Sequence, residues 1–142
     1  MPLTVQVAVD CREPHALADW WAETLGWTVE PQDADFIRRM VAEGHATADE
    51  TTEHAGRLVW RAGAAVVSPE PGPGTFRLLF QQVPEPKATK NRVHLDLRSP
   101  DQDLEALRAH LVERGATILH EGRQGPHTWV TMTDPEGNEF CV

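Results

Sequence analysis

The chain has 142 residues, of which 40% are hydrophobic and 25% charged, with a formal net charge of −9. This length suffices for one domain with its own core. The acidic balance argues against a nucleic-acid partner, which would need clustered lysine and arginine. No apolar run approaches the about 20 residues of a membrane span, and the N-terminus lacks a signal pattern. The two cysteines, Cys11 and Cys141, form no disulfide framework and no CxxC pair. We therefore expect a cytoplasmic protein that contacts neither membrane nor nucleic acid.

The first elements predicted in chain order are a strand, a helix and a short strand. Residues 5–9 (VQVAV) alternate and are rich in valine, which is typical of a strand. Residues 14–25 predict a helix, because Pro14 suits the first turn and Gly26 suits the end. Residues 27–30 predict the short strand that follows.

An insertion at residues 33–56 comes next. Its residues 36–41 (FIRRMV) indicate a short amphipathic helix, and its polar, acidic residues 46–56 (ATADETTEHAG) indicate a solvated loop or helix face. After it, strand-like residues 57–67 and 75–83 flank the turn SPEPGPG, in which proline and glycine are turn formers.

The second half repeats the order of the first. Ser99-Pro-Asp-Gln predicts a capping box that starts a helix ending at Arg114, and Gly115 ends that helix. The predicted strands around it lie at residues 93–97, 116–119, 128–133 and 138–142, the last two flanking the turn DPEG. Matching order and spacing indicate a duplicated βαβββ module. We therefore expect a single domain, 1–142, with module one at 3–83, a linker at 84–91 and module two at 92–142.

The stretch RVHLDLRS, residues 92–99, separates polar from apolar side chains. Val93, Leu95 and Leu97 take one face, while Arg92, His94, Asp96 and Arg98 take the other. Side chains two apart on a strand share a face, so Asp96 can orient the imidazole of His94. Arg92 and Arg98 can hold an anionic ligand or pair with Asp96. A histidine satisfied by hydrogen bonds inside the sheet is the alternative interpretation of His94.

The duplicated module also carries a family resemblance. The helix segment DWWAETLG, the junction EPKATKNRVHLDL and the terminal DPEGNEFCV together resemble the vicinal-oxygen-chelate superfamily, which includes glyoxalases, bleomycin-resistance proteins and extradiol dioxygenases. The chain is similar to its actinobacterial-type glyoxalase-like domain proteins. The resemblance implies an α+β fold, with two βαβββ modules that form a curled mixed sheet, a concave pocket inside and helices on the outer face. Because one fold hosts many chemistries, the site must decide the function.

Metal-dependent members of this superfamily place one ligand on the first strand and one on the last strand of each module. The resemblance assigns those places to Gln6, His94, Gln81 and Cys141, with Leu79 as the competitor of Gln81. The superfamily usually has glutamate where Cys141 stands, and Glu139 lies two residues earlier, so a shifted ligand stays open. Glutamine is a weak, neutral ligand, and a thiol binds metal only as the thiolate. We therefore expect no metal and no other cofactor.

The predicted site combines these residues with two tryptophans on predicted strands, whose flat rings suit a planar ligand. The candidate catalytic residues are His94 and Asp96, and the candidate ligand-binding residues are Gln6, Gln81, Arg92, Arg98, Trp60, Trp129, Glu139 and Cys141.

Three functions fit that site. The first is small-molecule binding without metal, as in antibiotic-sequestering bleomycin-resistance proteins. The second is acid–base catalysis by His94 on a carbonyl, an epoxide or a related substrate. The third, a metal-dependent lyase or dioxygenase, ranks last because the predicted ligands are poor. The sequence does not separate the first two. Since superfamily members pair modules within or between chains, we expect a homodimer.

Overall fold

The structure, a computed structural model, describes residues 1–70 and 76–142. The chain divides into two compact units, unit 1 (Met1–Pro86) and unit 2 (Lys87–Val142). Each unit contains a four-stranded mixed sheet, and the predicted α+β class is confirmed. None of the helices in the described ranges is long and apolar enough to cross a bilayer.

Unit 1 contains the first βαβββ module with its insertion. Its elements are β1 (Val7–Cys11), α1 (Pro14–Leu25), β2 (Thr28–Val29), α2 (Ala34–Ala42), a 3-10 turn (Ala48–Glu50), β3 (Thr51–His54), β4 (Arg57–Trp60), β5 (Gly63–Val67) and β6 (Arg77–Gln82). The sheet order is β1-β6-β5-β2, with β1 parallel to β6 and the other pairs antiparallel. Strands β3 and β4 form a separate two-stranded ribbon.

The helix α1 has the bounds that the sequence predicted. Pro14 starts it, and Gly26 ends it with a left-handed φ of 67°, a conformation that costs glycine little. Leu17, Trp20 and Trp21 are all buried. The helix therefore supplies a large apolar surface to the core of unit 1.

The insertion is more ordered than the sequence indicated. The predicted amphipathic helix is confirmed as α2, which Asp33 caps by accepting from the Phe36 N–H at 3.0 Å. The solvated loop or helix face predicted at residues 46–56 is wrong in part, because the exposed 3-10 turn in this stretch is followed by β3. Ala55 and Gly56, with φ of 51° and 75°, form the left-handed two-residue turn that joins β3 to β4.

The strand predicted at residues 57–67 is split into β4 and β5. The turn predicted at residues 68–74 lies partly outside the described residues. Its base is closed by Ser68, whose N–H donates to the Phe76 carbonyl at 3.0 Å and whose hydroxyl accepts from the Phe76 N–H at 2.9 Å.

Unit 2 repeats the topology of unit 1 without the insertion. Its elements are β7 (Leu95–Asp96), α3 (Leu104–Glu113), β8 (Thr117–Gln124), β9 (His127–Thr133) and β10 (Glu139–Cys141). The sheet order is β7-β10-β9-β8, again with the first strand parallel to the last. The sequence repeat is therefore a structural repeat.

Two local predictions in unit 2 are wrong. The strand predicted at residues 93–97 is only β7, and Val93, assigned to the apolar face, is 76% exposed. The helix cap is Asp103 and not Ser99, because the Asp103 carboxylate accepts from the N–H groups of Glu105 and Ala106. The helix therefore begins at Leu104, which leaves residues 99–102 outside it.

Candidate functional site

The strand register of unit 2 separates a buried face from a polar one. Phe140 of β10 is fully buried and pairs with Leu95 and Met132 on the neighbouring strands. Cys141, the next residue, pairs with Asp96 of β7 and Thr131 of β9. Successive side chains point to opposite faces of a sheet. Cys141, Asp96 and Thr131 therefore share the face opposite Phe140, which we call the polar face of unit 2.

The turn DPEGN holds β10 in this register. Asp134 is buried, and its Oδ1 accepts from the backbone N–H groups of Glu136 at 2.9 Å and Asn138 at 3.0 Å. Gly137 follows with a φ of 88°. One carboxylate thus satisfies the backbone of a tight turn, and β10 leaves it directly opposite β9.

His94 and Asp96 form a hydrogen-bonded pair on the polar face. The His94 Nδ1 lies 2.8 Å from the Asp96 Oδ1, and the two side chains are 38% and 52% exposed. The imidazole is therefore oriented by the neighbouring carboxylate, as the alternation in the sequence predicted, and it is open to solvent. With Asp96 accepting from Nδ1–H, the Nε2 atom carries a lone pair.

Cys141 adds a thiol to this pair. Its Sγ, a ring nitrogen of His94 and a carboxylate oxygen of Asp96 lie within 4.8 Å of one another. The Thr131 Oγ1 lies 3.6 Å from the sulfur. Thr131 was not predicted as a site residue, although the alternation within TWVTMT puts its side chain on the face of β9 opposite to that of the buried Met132. The three donor types grouped here are also ones that a zinc-like metal accepts.

In unit 1 the metal position that the resemblance assigned to Gln6 is already engaged. The Gln6 Oε1 accepts from the Arg77 Nη1 at 2.5 Å. Arg77 also forms a two-pronged ion pair with Glu30, at 2.9 and 2.8 Å. The hydrogen bond from Arg77 lowers the pKa of Glu30, and the same bond raises the pKa of Arg77. A guanidinium beside Gln6 repels a divalent cation.

The second position in unit 1 belongs to Leu79, which corrects the choice of Gln81. In unit 2, Cys141 pairs with Asp96, two residues after His94. In unit 1 the corresponding residue, two after Gln6, pairs with Leu79, whereas Gln81 pairs with Asp10. A leucine offers no ligand atom. Of the four positions that the resemblance assigns to a metal, only those in unit 2, His94 and Cys141, therefore carry strong donors, and the four-ligand site of the superfamily does not fit them.

Glu139 faces the same way as Cys141, but its carboxylate is already used. It is 10% exposed, and it accepts from the Lys87 Nζ at 2.9 Å and from the Asn91 N–H at 3.0 Å. Burial alone would raise the pKa of Glu139, but the hydrogen bonds from Asn91 and Lys87 lower it below its usual value. The contacts of Glu139 are structural, because they connect β10 to Lys87 and Asn91 in the segment before β7.

The two tryptophans differ in position. Trp129 lies on the same face of β9 as Thr131, and its indole covers Gly122 on β8, where a Cβ would come within 2.2 Å of the ring. Trp60 belongs to the β3–β4 ribbon. Its backbone N–H donates to the Gln32 Oε1 at 2.8 Å, and its backbone carbonyl lies 2.7 Å from the His15 Nε2. Trp60 therefore lies on a strand, as predicted, but that strand is outside the four-stranded sheet of unit 1.

The two arginines beside the pair are exposed. Within residues 1–70 and 76–142, neither Arg92 nor Arg98 has a hydrogen bond or ion pair with a side chain or backbone group. Asp96 pairs with His94 and not with either arginine. The sequence left the pairing of these arginines with Asp96 open, and the structure excludes it.

Comparison with known proteins assigns the chain to a family. The family model described as a glyoxalase-like domain matches residues 6–142. No curated protein matches the sequence significantly.

Solved structures share the fold at low sequence identity. A glyoxalase family protein from Bacillus cereus superposes with a TM-score of 0.60 at 14% identity, over 99% of this chain and 92% of that one. The fosfomycin resistance protein FosX from Mesorhizobium loti gives 0.58 at 9%, over 99% and 90%. TnmS3, an antibiotic binding protein from a Streptomyces species, gives 0.51 at 15%, over 99% and 95%. At these identities the likeness shows the fold alone.

Proposed function

Because this chain belongs to the glyoxalase-like domain family, we propose that it binds a small organic molecule on the polar face of unit 2 without a metal. One observation carries the proposal. The imidazole of His94 is held at 2.8 Å by Asp96, yet both side chains stay partly exposed. An oriented and accessible imidazole suits contact with a ligand better than a structural role.

The pair also gives the bound molecule a path for a proton. Asp96 holds Nδ1, so the Nε2 of His94 accepts a proton from the ligand, and the carboxylate stabilises the resulting imidazolium. The same nitrogen then returns the proton to another atom of the ligand. General acid–base catalysis of this kind contributes about 10²–10⁴-fold to a rate. A ligand with an acidic C–H or O–H group next to a carbonyl fits this chemistry.

Arg92 and Arg98 favour a ligand that carries negative charge. Their guanidinium groups are exposed, and no described carboxylate neutralises them. A carboxylate or phosphate on the ligand would form a charge-assisted hydrogen bond with either one. We further propose that the protein is of the actinobacterial type and acts in the cytoplasm, as a homodimer.

Sequestration without turnover is the closest alternative. It is supported by fold neighbours that include an antibiotic binding protein and a fosfomycin resistance protein. The two functions differ in stoichiometry: an enzyme converts many ligand molecules, whereas a sequestering protein protects against one ligand per site.

A metal-dependent lyase or dioxygenase is a second candidate, favoured by the grouping of His94, Asp96 and Cys141 within 4.8 Å. It ranks lower for two reasons. Two of the three donors are hydrogen-bonded to each other, and the matching positions in unit 1 hold a leucine and an amide bound by arginine.

Native mass spectrometry of the protein purified from its host tests the proposal, because it reports a co-purified small molecule and any metal. The identified ligand is then titrated into the wild type, His94→Gln, Asp96→Asn and the control His127→Gln, which changes an exposed histidine at the start of β9. We expect weaker binding in the first two variants and unchanged binding in the control. Equal affinity in all four proteins would contradict the proposed site.

A further inference from the structure

The proposed proton transfer uses His94 and Asp96 but not the thiol of Cys141, which lies beside them. We infer that Cys141 is a nucleophile that captures an electrophilic ligand covalently, with His94 as its base and Asp96 as the residue that positions the imidazole. The inference rests on the proposed function, since it uses the same face of unit 2. The inference goes beyond the proposed function because it names the bond that forms and the class of ligand.

The arrangement contains the parts that activate a nucleophile. A thiol reacts as the thiolate, so it needs a base, and the base needs a third group that orients it. The Sγ of Cys141, a nitrogen of His94 and an oxygen of Asp96 lie within 4.8 Å. The His94–Asp96 bond is formed at 2.8 Å. Catalytic hydrogen bonds are often long before a ligand binds and tighten in the complex.

Cys141 also differs from the other cysteine in ways that favour reaction. It is half-buried and so reachable by a small molecule, whereas Cys11 is 5% exposed, with its Sγ 3.4 Å from the Gln81 carbonyl. The Thr131 hydroxyl, 3.6 Å from the Cys141 sulfur, can donate to it as charge develops.

The ligand class is inferred from the softness of the thiolate and is consistent with the proton balance. A thiolate is a soft nucleophile, and an α,β-unsaturated carbonyl compound is a soft electrophile. The S–H proton moves to His94, and the S–C bond forms at the β-carbon. The electron pair of the C=C bond then moves to the α-carbon, which takes the proton back from His94. The adduct is a thioether. No group leaves, and no oxidant or reductant is consumed, so the step needs only these residues and the ligand.

Acrylamide, a small unsaturated amide, tests this reactivity without knowledge of the natural ligand. The rate of adduct formation is followed by intact mass, and the modified residue is mapped by peptide analysis. We expect Cys141 to react and Cys11 to stay unmodified. Replacement of the base in His94→Gln should slow the reaction at least about 100-fold, the lower end of what general-base catalysis supplies. Asp96→Asn should slow it less, and Cys141→Ser should abolish it.

Controls make each outcome decisive. Circular dichroism and thermal unfolding establish that every variant is folded, and His127→Gln should react as the wild type does. A Cys141 rate equal to that of glutathione and unchanged by His94→Gln would overturn the inference. So would protection of Cys141 by equimolar Zn²⁺, which would make the cluster a metal site. If native mass spectrometry finds a bound ligand but Cys141 is inert, the inference fails and the proposed function stands. If Cys141 is alkylated fast but no ligand is bound, the inference stands and the proposed function is not supported.

Discussion

Replacing Glu139 with glutamine tests whether this carboxylate is structural, as its contacts indicate. It accepts from Lys87 and Asn91, and its side chain and that of Lys87 are only 10% and 26% exposed. Glutamine keeps one oxygen as acceptor but loses the charge. Hydrogen bonds to charged groups contribute about 1.5–3 kcal/mol to stability, so we expect Glu139→Gln to lower the free energy of unfolding by about that amount at neutral pH.

The effect should depend on pH in a defined direction. The pKa of Glu139 is lowered from its ordinary value of 4.5, so the folded state holds the charged form more strongly than the unfolded state. This stabilisation is fully present above pH 4.5 and is lost as the pH falls through the lower folded value. The difference between the wild type and Glu139→Gln should therefore shrink in acid.

Urea unfolding of the wild type, Glu139→Gln, Lys87→Met and the double variant measures the pair. A double-mutant cycle should show that the two changes are less than additive, because each removes the same contact. A loss below about 0.5 kcal/mol for Glu139→Gln, the usual range of a neutral surface substitution, would refute the reasoning. It would reopen a ligand-binding role for this carboxylate.

Four further predictions concern packing, assembly and metal content. Gly122→Ala should destabilise the protein by about 1–3 kcal/mol in urea unfolding, because its Cβ would come within 2.2 Å of the Trp129 ring. Phe140→Ala should cost about 3–5 kcal/mol in the same assay, as expected for a fully buried phenylalanine. Light scattering should report a homodimer, and a mass near the 15.8 kDa of one chain would contradict it. Elemental analysis after gel filtration should find well under one divalent metal per chain, whereas stoichiometric metal lost in His94→Ala would favour the lyase or dioxygenase.

The elements that the sequence predicted well are those whose signals are local and unambiguous. The helix α1 begins at Pro14 and ends at Gly26, and both residues favour those places for reasons of their own backbone. The turn DPEGN is equally local, since Asp134 satisfies N–H groups only two and four residues away. The alternation in residues 92–98 placed His94 and Asp96 together for the same reason.

The predictions failed where two residues suit the same role, or where a contact with a residue far away in the sequence determines the structure. Ser99 and Asp103 both suit a helix cap, and the helix starts at the second. Leu79 and Gln81 lie on one face of β6, so only the register with β1 separates them. The engagement of Glu139 depends on Lys87, 52 positions away in the chain. Nothing in the local pattern around Glu139 indicates that partner.

Chemical-shift mapping of the ¹⁵N-labelled protein with its co-purified ligand tests the central claim most directly. The claim is that the polar face of unit 2, built on β7, β9 and β10, is where the small molecule binds. The account predicts that the perturbed backbone amides cluster at His94, Asp96, Thr131 and Cys141. Perturbations confined to unit 1, with those four amides unmoved at saturation, would contradict it.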